Sequence, residues 1–395
     1  MKNLTNLTNR VIPIFLGLCM LASCSPSLVS EEEKNNNNST VSTYPFAPGM
    51  EKFTDMSVTV RDANGNPYDI ELYSASTNPK RQYPVVEEYL KNTAVAMFDM
   101  TGAVIIEVNY PAGIDSAIIR PARAGIEHKI EGNTVIFTIT EWGQYTVEFN
   151  GDPETDALMI FANPPAEIPE NAKIINGRYD GDLTVEENQI VYMSPGSVVF
   201  GQVIMQDNSK LTGRGIIAKS GPPAVQIWNS RNVTLEGITI LDPNRWVVEF
   251  QNSSNITIEN IKIISARNNG DGITIQSSSN ITINKSFIRS WDDNIVLKNY
   301  TADNSFNITV INCVLWTDLA QSMEIGFETN KGSPSGLTPS PNTDPVRRFG
   351  NLPRNHSLRA RQITDNLHIA KPAHHIGDGA CLGMTDFKGE YAVFI

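Results

Sequence analysis

Cysteine is scarce in this chain of 395 residues, which contains only four. Cys19 and Cys24 lie in an apolar segment near the N-terminus, so Cys313 and Cys381 are the only thiols of the rest of the chain. Two such cysteines cannot build the disulfide scaffold that holds small secreted domains together. Neither has a partner at a spacing typical of a metal site. We therefore expect no metal and no cofactor.

Basic residues are also in deficit. Lys and Arg number 31 against 43 Asp and Glu, which gives a formal net charge of −12. Binding to a phosphate backbone depends on clustered Lys and Arg, so we expect no nucleic-acid partner. The length exceeds that of one typical domain, and the apolar fraction of 40% is ordinary for a globular protein. These values predict two domains, and we expect a monomer.

Long apolar runs are lacking too. The apolar segment from Val11 to Leu21 follows the basic residues Lys2 and Arg10 and is too short to span a membrane. It predicts an export signal over residues 1–24. Leu21-Ala22-Ser23-Cys24 resembles the bacterial lipobox, in which the cysteine is acylated. We expect an exported outer-membrane lipoprotein anchored through Cys24; an ordinary secretory signal with an incidental cysteine is the alternative.

Two further segments precede the repeats described below. Residues 25–50 include Glu31-Glu32-Glu33 and Asn35–Asn38 and predict a disordered tether, because apolar periodicity is missing. Residues 51–165 alternate with period two and predict an antiparallel β-sandwich. Asn64-Gly65 predicts a hairpin turn between strands, and a second strand pair is expected around Trp142-Gly143.

Near-identical phrases mark residues 166–332. Asn-Val-Thr or Asn-Ile-Thr recurs at intervals of 23, 25 and 27 residues, beginning at Asn232, Asn255, Asn280 and Asn307. A β-rich repeat of this length predicts a right-handed parallel β-helix (a solenoid of the pectin-lyase type), with one coil per repeat. Each Asn should occupy an equivalent corner, where it tolerates left-handed backbone and bonds to the coils above and below.

The repeat stops near Gly332, and residues 333–395 predict no further coil. This segment contains four of the five histidines. It is either a native irregular cap or a segment foreign to the fold, introduced by a frameshift or a sequence join. We favour the second interpretation, which leaves the β-helix truncated, because an abrupt end exposes an apolar cross-section and an unpaired strand edge.

Two acidic segments lie within the repeats. Asp271 and the pair Asp292-Asp293 are 21 positions apart, which predicts Asp271 directly beneath Asp292 with Asp293 beside it. Two carboxylates about 5 Å apart repel by roughly 3 kcal/mol, or about two pKa units, so one of the three should keep its proton. The alternatives are ordinary solvated turns and, less well supported, a calcium site, which needs about six to eight oxygens.

The motif Asn269-Gly270-Asp271-Gly272, followed by Asp292-Asp293, resembles the three-aspartate signature of two β-helical glycoside hydrolase families, polygalacturonases (family 28) and dextranases (family 49). The resemblance covers residues 50 to 332. It implies an inverting hydrolase in which Asp292 is the general acid, while Asp271 and Asp293 position and activate water. The candidates for binding the polysaccharide are Asn269, Lys298, Gln321 and Glu324.

The chain also departs from the polygalacturonase pattern. Ala320–Gly326 stands where those enzymes place Gly-His-Gly, and the Arg-Xaa-Lys motif that grips a uronate carboxylate has no counterpart after Lys331. Both gaps favour a neutral or differently decorated glycan over pectin. Two other functions stay open, a β-helical lyase and a non-catalytic carbohydrate-binding solenoid. The second would use sugar-stacking rings among Trp228, Trp246, Trp291 and Trp316.

Overall fold

The computed structural model describes residues 39–80, 83–151, 157–298 and 305–325, and the backbone of two short strands at His368–Ala370 and Val393–Phe394. The predicted signal, Cys24 and most of the predicted tether lie outside these residues. Helix is limited there to two single 3₁₀ turns, Glu87–Tyr89 and Ala122–Ala124. No helix within the described ranges combines the length and the apolar character needed to cross a membrane.

Two stacked sheets form the N-terminal domain. The first has the order β1-β5-β11-β10-β7, with β4 also on β5, and the second has the order β3-β2-β6-β9-β8. Their facing side chains form one apolar core that includes Phe98, Phe149, Val60 and Ile106. The strands are β1 Thr40–Thr43, β2 Ser57–Arg61, β3 Pro67–Ile70, β4 Tyr73–Thr77, β5 Lys91–Thr101, β6 Val104–Asn109, β7 Ala117–Arg120, β8 His128–Glu131, β9 Thr134–Ile139, β10 Gly143–Phe149 and β11 Ala157–Asn163.

The hairpin predicted at Asn64-Gly65 is present between β2 and β3. The sandwich departs from the sequence prediction at three other points. Strands β9 and β10 belong to different sheets, so Trp142-Gly143 connects the two layers and does not close a hairpin. The neighbours β5 and β11 run parallel. Strand β1 lies within the range predicted as tether, because Val41 is buried in the core and Thr40 pairs with Thr101.

Three parallel sheets form the second domain, a β-helix in which each coil contributes one strand to each sheet. The first sheet has the order β12-β15-β18-β21-β24-β27-β30, the second β13-β16-β19-β22-β25-β28-β31, and the third β14-β17-β20-β23-β26-β29-β32. Val, Ile and Leu side chains at matching positions stack into one continuous core. This arrangement confirms the predicted parallel β-helix.

Most solenoid strands have three or four residues, in agreement with the short apolar phrases of the sequence. They are β12 Lys173–Ile175, β13 Arg178–Asp180, β14 Leu183–Val185, β15 Ile190–Met193, β16 Val198–Phe200, β17 Val203–Met205, β18 Lys210–Gly213, β19 Ile216–Ala218, β20 Val225–Trp228, β21 Arg231–Glu236, β22 Thr239–Leu241, β23 Val248–Gln251, β24 Ser254–Glu259, β25 Lys262–Ile264, β26 Ile273–Gln276, β27 Ser279–Asn284, β28 Phe287–Ser290, β29 Ile295–Lys298, β30 Phe306–Ile311, β31 Val314–Thr317 and β32 Met323–Ile325.

Two short strands extend these sheets from the C-terminal segment. Strand β33, His368–Ala370, pairs in parallel with β31, and β34, Val393–Phe394, pairs antiparallel with β30. The rest of 333–395, the segment predicted to be irregular or foreign, lies outside the described residues.

An asparagine ladder runs along one corner of the β-helix. The four predicted Asn residues have φ between 55° and 57°, as left-handed backbone requires. Each side-chain Nδ2 donates to Oδ1 of the Asn one coil earlier at 2.7–3.0 Å, over Asn188, Asn208, Asn232, Asn255, Asn280 and Asn307. The corner positions predicted from the repeat are therefore confirmed, and the ladder extends two coils further toward the N-terminus.

The sandwich packs on the outer face of the second solenoid sheet. Phe161 of β11 and Phe287 of β28 meet with ring centroids 5.1 Å apart within a shared apolar cluster. Buried polar groups cross the same boundary: Arg214 Nε donates to Asp99 Oδ1 at 2.9 Å, and Lys262 Nζ donates to Asn163 Oδ1. This contact leaves the third sheet as a separate outer face.

Candidate active site

The predicted catalytic aspartates lie in turns that join the second sheet to the third. Asp271 is two residues before β26, and Asp292-Asp293 lie just before β29. Ile273 pairs with Ile295, and the backbone N–H of Gly272 donates to Asp293 O at 2.8 Å. This register places Asp271 level with Asp293, not with Asp292 as predicted. The register is set by burial of Ile273 and Ile295 in the core. These two residues are one position further apart in the sequence than Asp271 and Asp292, so Asp271 aligns with the next residue, Asp293.

Buried groups hold these turns in place. Asn294 is fully buried, and its Nδ2 donates to Ser290 Oγ at 2.6 Å and to Trp316 O at 2.9 Å. Gly272 packs so closely against the next coil that a Cβ there would collide with the side chain of Ile288 and with Asn294 O. The two turns therefore stack tightly, which orients the adjacent carboxyl groups.

Asp271 forms a buried ion pair with Lys298. The distance from Lys298 Nζ to Asp271 Oδ2 is 2.8 Å, and the two side chains are only 6% and 3% exposed. The same ammonium lies 4.7 Å from the ring centroid of Trp246, one coil earlier. Lys298 was predicted to bind sugar, but in this structure its charge is already engaged within the site.

Asp292 and Asp293 occupy different environments. Asp292 is partly exposed, and burial together with the negative charge of Asp271 raises its pKa to about 6. Asp293 is buried, and its Oδ1 accepts the backbone N–H of Gln321 at 2.9 Å. Burial, and then the charges of Glu324 and Asp292, raise the pKa of Asp293 to about 8. The raised pKa of Asp293 agrees with the prediction that one member of the group keeps a proton near neutral pH.

Glu324 joins the three aspartates to form a group that we call the acidic cluster. It lies on β32, in the coil after Asp293, and its charge raises the pKa of both Asp292 and Asp293. Gln321 lies level with Asp293 and contributes its main-chain N–H. The predicted binding residues Gln321 and Glu324 are thus brought to the cluster, where both interact with the aspartates.

Glu249 is a site residue that the sequence reasoning missed. It is buried on β23, where burial raises its pKa to about 7, and Gln276 Nε2 donates to its Oε1 at 2.6 Å. The pairing register places it in one column with Thr274, Val296 and Glu324. A charged residue between Val248 and Phe250 was the available signal, because alternate residues of a solenoid strand face outward.

The sandwich also reaches the site, which the sequence did not indicate. The backbone N–H of Val85 donates to Asn268 Oδ1 at 2.6 Å, beside the predicted binding residue Asn269. Asn269 itself is partly exposed and has a φ of 53°. The exposed ring of Tyr83 stacks on Trp291, the residue before Asp292. The first domain therefore contacts both turns that carry the aspartates.

The tryptophans considered for sugar stacking divide into two pairs. Trp291 and Trp316 are buried, so neither ring can receive a sugar directly. Trp228 is exposed and donates a hydrogen bond to Glu249, and Trp246 is partly exposed with Lys298 Nζ over its ring. Among the described residues, no group of three or more His, Cys, Asp and Glu side chains is arranged to hold a metal ion.

The part of the β-helix that carries these carboxyl groups is similar in sequence to a known protein family. Residues 187–324 match the family model described as glycosyl hydrolases family 28. The match includes all three aspartates and confirms the resemblance to β-helical glycoside hydrolases that their spacing predicts.

Known proteins similar to parts of this chain include an endo-polygalacturonase of Pectobacterium carotovorum subsp. carotovorum, 33% identical over 116 residues. That alignment covers 29% of this chain and 28% of the relative, so the chain spans less than a third of the relative's length. Dex49A from Penicillium minioluteum has 14% identity and a TM-score of 0.49, covering 76% of this chain and 78% of that chain. A family 28 exopolygalacturonase from Yersinia enterocolitica has 10% identity and a TM-score of 0.29, covering 54% and 66%.

Proposed function

We propose that this protein is a glycoside hydrolase that cleaves a polysaccharide by single-displacement inversion at the acidic cluster. The observation that carries the proposal is the convergence of Asp271, Asp292, Asp293 and Glu324 beside the third sheet, within the segment that matches family 28. Inverting hydrolysis needs one protonated carboxyl group and one ionised carboxylate on opposite sides of the bond that breaks. A cluster whose carboxyl groups differ in pKa can hold both forms at one pH.

Asp292 is the proposed general acid, because it is the partly exposed member of the three aspartates and its pKa is about 6. It donates its proton to the glycosidic oxygen as the bond to the anomeric carbon breaks. Asp293 and Asp271 hold a water molecule and accept its proton while the water oxygen attacks that carbon from the other side. Asp293 has the higher pKa in the unliganded site, so the general-acid role requires that the proton pass from Asp293 to Asp292. A proton on Asp292 then removes one of the charges that raise the pKa of Asp293, after burial and the charge of Glu324.

A neutral glycan is the proposed substrate class. Lys298 is already paired with Asp271, and the surrounding side chains Asp292, Asp293, Glu324 and Glu249 are all acidic. The lysine that a uronate carboxylate would need is thus engaged, and residues 320–326 lack the Gly-His-Gly that polygalacturonases place there. Sugar hydroxyls can donate hydrogen bonds to carboxylate oxygens without a basic partner.

We further propose export and attachment to the outer membrane through a lipid on Cys24. The lipobox-like sequence Leu21-Ala22-Ser23-Cys24 supports this proposal. Replacing Cys24 with Ser should move the protein from the membrane fraction to the soluble fraction of the cell envelope and remove labelling by a radioactive fatty acid. Unchanged labelling of the variant would contradict it.

The test of hydrolysis compares the wild type with Asp292→Asn on a panel of neutral and acidic polysaccharides. The wild type should release reducing ends, and the variant should lose at least about 100-fold in rate, since general acid catalysis contributes about 10² to 10⁴. Asp207→Asn is the matched control, because Asp207 lies in a turn after β17, three coils before β26 in the third sheet. Full activity of Asp292→Asn refutes the assignment. Products that absorb in the ultraviolet indicate a lyase, and retention without cleavage indicates a binding protein.

A further inference from the structure

One segment of the sandwich, between β4 and β5, crosses onto both turns that carry the aspartates. Asn78 Nδ2 donates to Ala266 O at 3.4 Å, and Val85 N–H donates to Asn268 Oδ1 at 2.6 Å. Arg267 Nε lies 3.4 Å from Glu87 Oε1. These contacts reach three successive residues, 266 to 268, just before the Asn269-Gly270-Asp271 motif. They fix the position of the segment relative to the acidic cluster.

The ring of Tyr83 is the most exposed large apolar group among the described residues, at 71% exposure. It stacks on Trp291 with ring centroids 6.2 Å apart and an interplanar angle of 29°. Trp291 is only 1% exposed, so the indole supports one face of the tyrosine ring while the other face meets solvent. A tyrosine that served only to pack the two domains together would be buried, as Tyr73 is.

The position of this ring relates it to the proposed reaction. Trp291 directly precedes Asp292 in the chain, so a ring stacked on Trp291 lies against the turn that carries the proposed general acid. A flat aromatic face is apolar and offers the C–H face of a pyranose a contact that needs no charge. A tyrosine ring also has only two χ angles to order, and the residues that follow it are held by the contacts of Val85 and Glu87.

We propose that Tyr83 forms a sugar-stacking subsite beside Asp292, so that the N-terminal sandwich contributes directly to substrate binding. The proposal rests on the proposed glycan hydrolysis and adds a specificity residue to it. The ring binds a neutral pyranose unit next to the bond that is cleaved, and the sandwich acts as one wall of the substrate cleft.

The test measures binding and hydrolysis separately in the full chain. Affinity electrophoresis in gels that contain each polysaccharide of the panel gives the dissociation constant without requiring cleavage. Tyr83→Ala should bind about fivefold to tenfold more weakly, the range expected for loss of one aromatic contact, while Tyr83→Phe should bind like the wild type. In reducing-end assays Tyr83→Ala should raise KM by a similar factor with kcat little changed, since the ring does not touch the reacting atoms.

Two further variants separate stacking from packing. Tyr83→Leu keeps apolar bulk without a flat face and should bind as weakly as Tyr83→Ala. Tyr89→Ala removes a 40% exposed ring from the same segment and should leave binding unchanged. The subsite is refuted if Tyr83→Ala or Tyr83→Leu binds every polysaccharide as the wild type does, or if the wild type binds none. Hydrolysis by the wild type, together with unchanged binding in Tyr83→Ala, would support the proposed function and refute the subsite. Weakened binding in Tyr83→Ala, with no hydrolysis by the wild type, would support the subsite and refute the proposed function.

Discussion

The buried pair Lys298–Asp271 allows a quantitative test of how the site is held together. The two charges are 2.8 Å apart, and both side chains are almost fully excluded from solvent. Replacing Lys298 with Met removes the positive charge that faces the buried Asp271 carboxylate. Breaking a buried pair in this way costs about 3–5 kcal/mol, because the desolvation of the remaining charge is no longer compensated. A loss of that size is a large part of a typical unfolding free energy of about 5–15 kcal/mol.

The assay is a double-mutant cycle at pH 7, with unfolding by denaturant. The four proteins are the wild type, Lys298→Met, Asp271→Asn and the double variant. The double variant should be clearly more stable than the sum of the single losses predicts, because it buries neither charge. Lys285→Met is the matched control: Lys285 Nζ lies 4.4 Å from the ring centroid of Trp142, much as Lys298 lies over Trp246. The control should lose less than about 1 kcal/mol, the value typical of an exposed cation–π contact.

Two results would contradict this reasoning. One is a loss in Lys298→Met no larger than that in Lys285→Met. The other is strict additivity in the cycle, which would mean that the two charges do not stabilise each other in the folded state.

Three further predictions concern stability. Folding raises the pKa of Asp292 and Asp293 to about 6 and 8, so the folded state binds protons more tightly than the unfolded state, and the unfolding free energy should fall as pH rises from about 4 to 8. Denaturant unfolding of Asp293→Asn should show a smaller fall than the wild type, and an equal fall would contradict the raised pKa of Asp293. Burial lowers the pKa of Lys262, so Lys262→Met should raise the unfolding free energy at pH 7 by about 1–3 kcal/mol, and this gain should shrink toward pH 10. A loss of stability at pH 7 would show that the hydrogen bond of Lys262 outweighs the cost of its desolvation. Asn255→Ala and Asn255→Gly both break two ladder hydrogen bonds, but only Ala is strained at a φ of 57°. Thermal unfolding should therefore show Asn255→Ala to be about 1–2 kcal/mol less stable than Asn255→Gly, and equal stability would exclude strain at this corner.

The β-helix and its corner residues were predictable because a repeat applies the same local rules many times. Asn232, Asn255 and Asn280 each needed left-handed backbone and a partner one coil away, and the periodicity supplied both. The convergence of the three aspartates was predicted for the same reason. The level of Asp271 was wrong by one residue, because core pairing of Ile273 with Ile295 decides the register and not the motif spacing.

Contacts between distant segments were not predictable from local patterns. Nothing near Tyr83 indicates that its ring lies on Trp291, 208 positions later, since this depends on how the sandwich docks on the second sheet. Glu249 was overlooked because a single acidic residue in an apolar strand is ambiguous without knowledge of its neighbours in the next coils. The pairing of β9 and β10 was predicted wrongly because adjacent strands in a sandwich often belong to opposite layers.

The asparagine ladder stays regular although the coils differ in length. Successive ladder residues are 20, 24, 23, 25 and 27 positions apart, yet every rung keeps a hydrogen bond. Part of the difference is absorbed where the second sheet turns into the third, with two residues at 201–202, six at 219–224 and eight at 265–272. Insertions at that edge can change the surface beside the acidic cluster without shifting the stacked coils. Loop length there can therefore vary while the spacing of the coils stays constant, and grafting longer loops is a practical way to alter the proposed glycan preference.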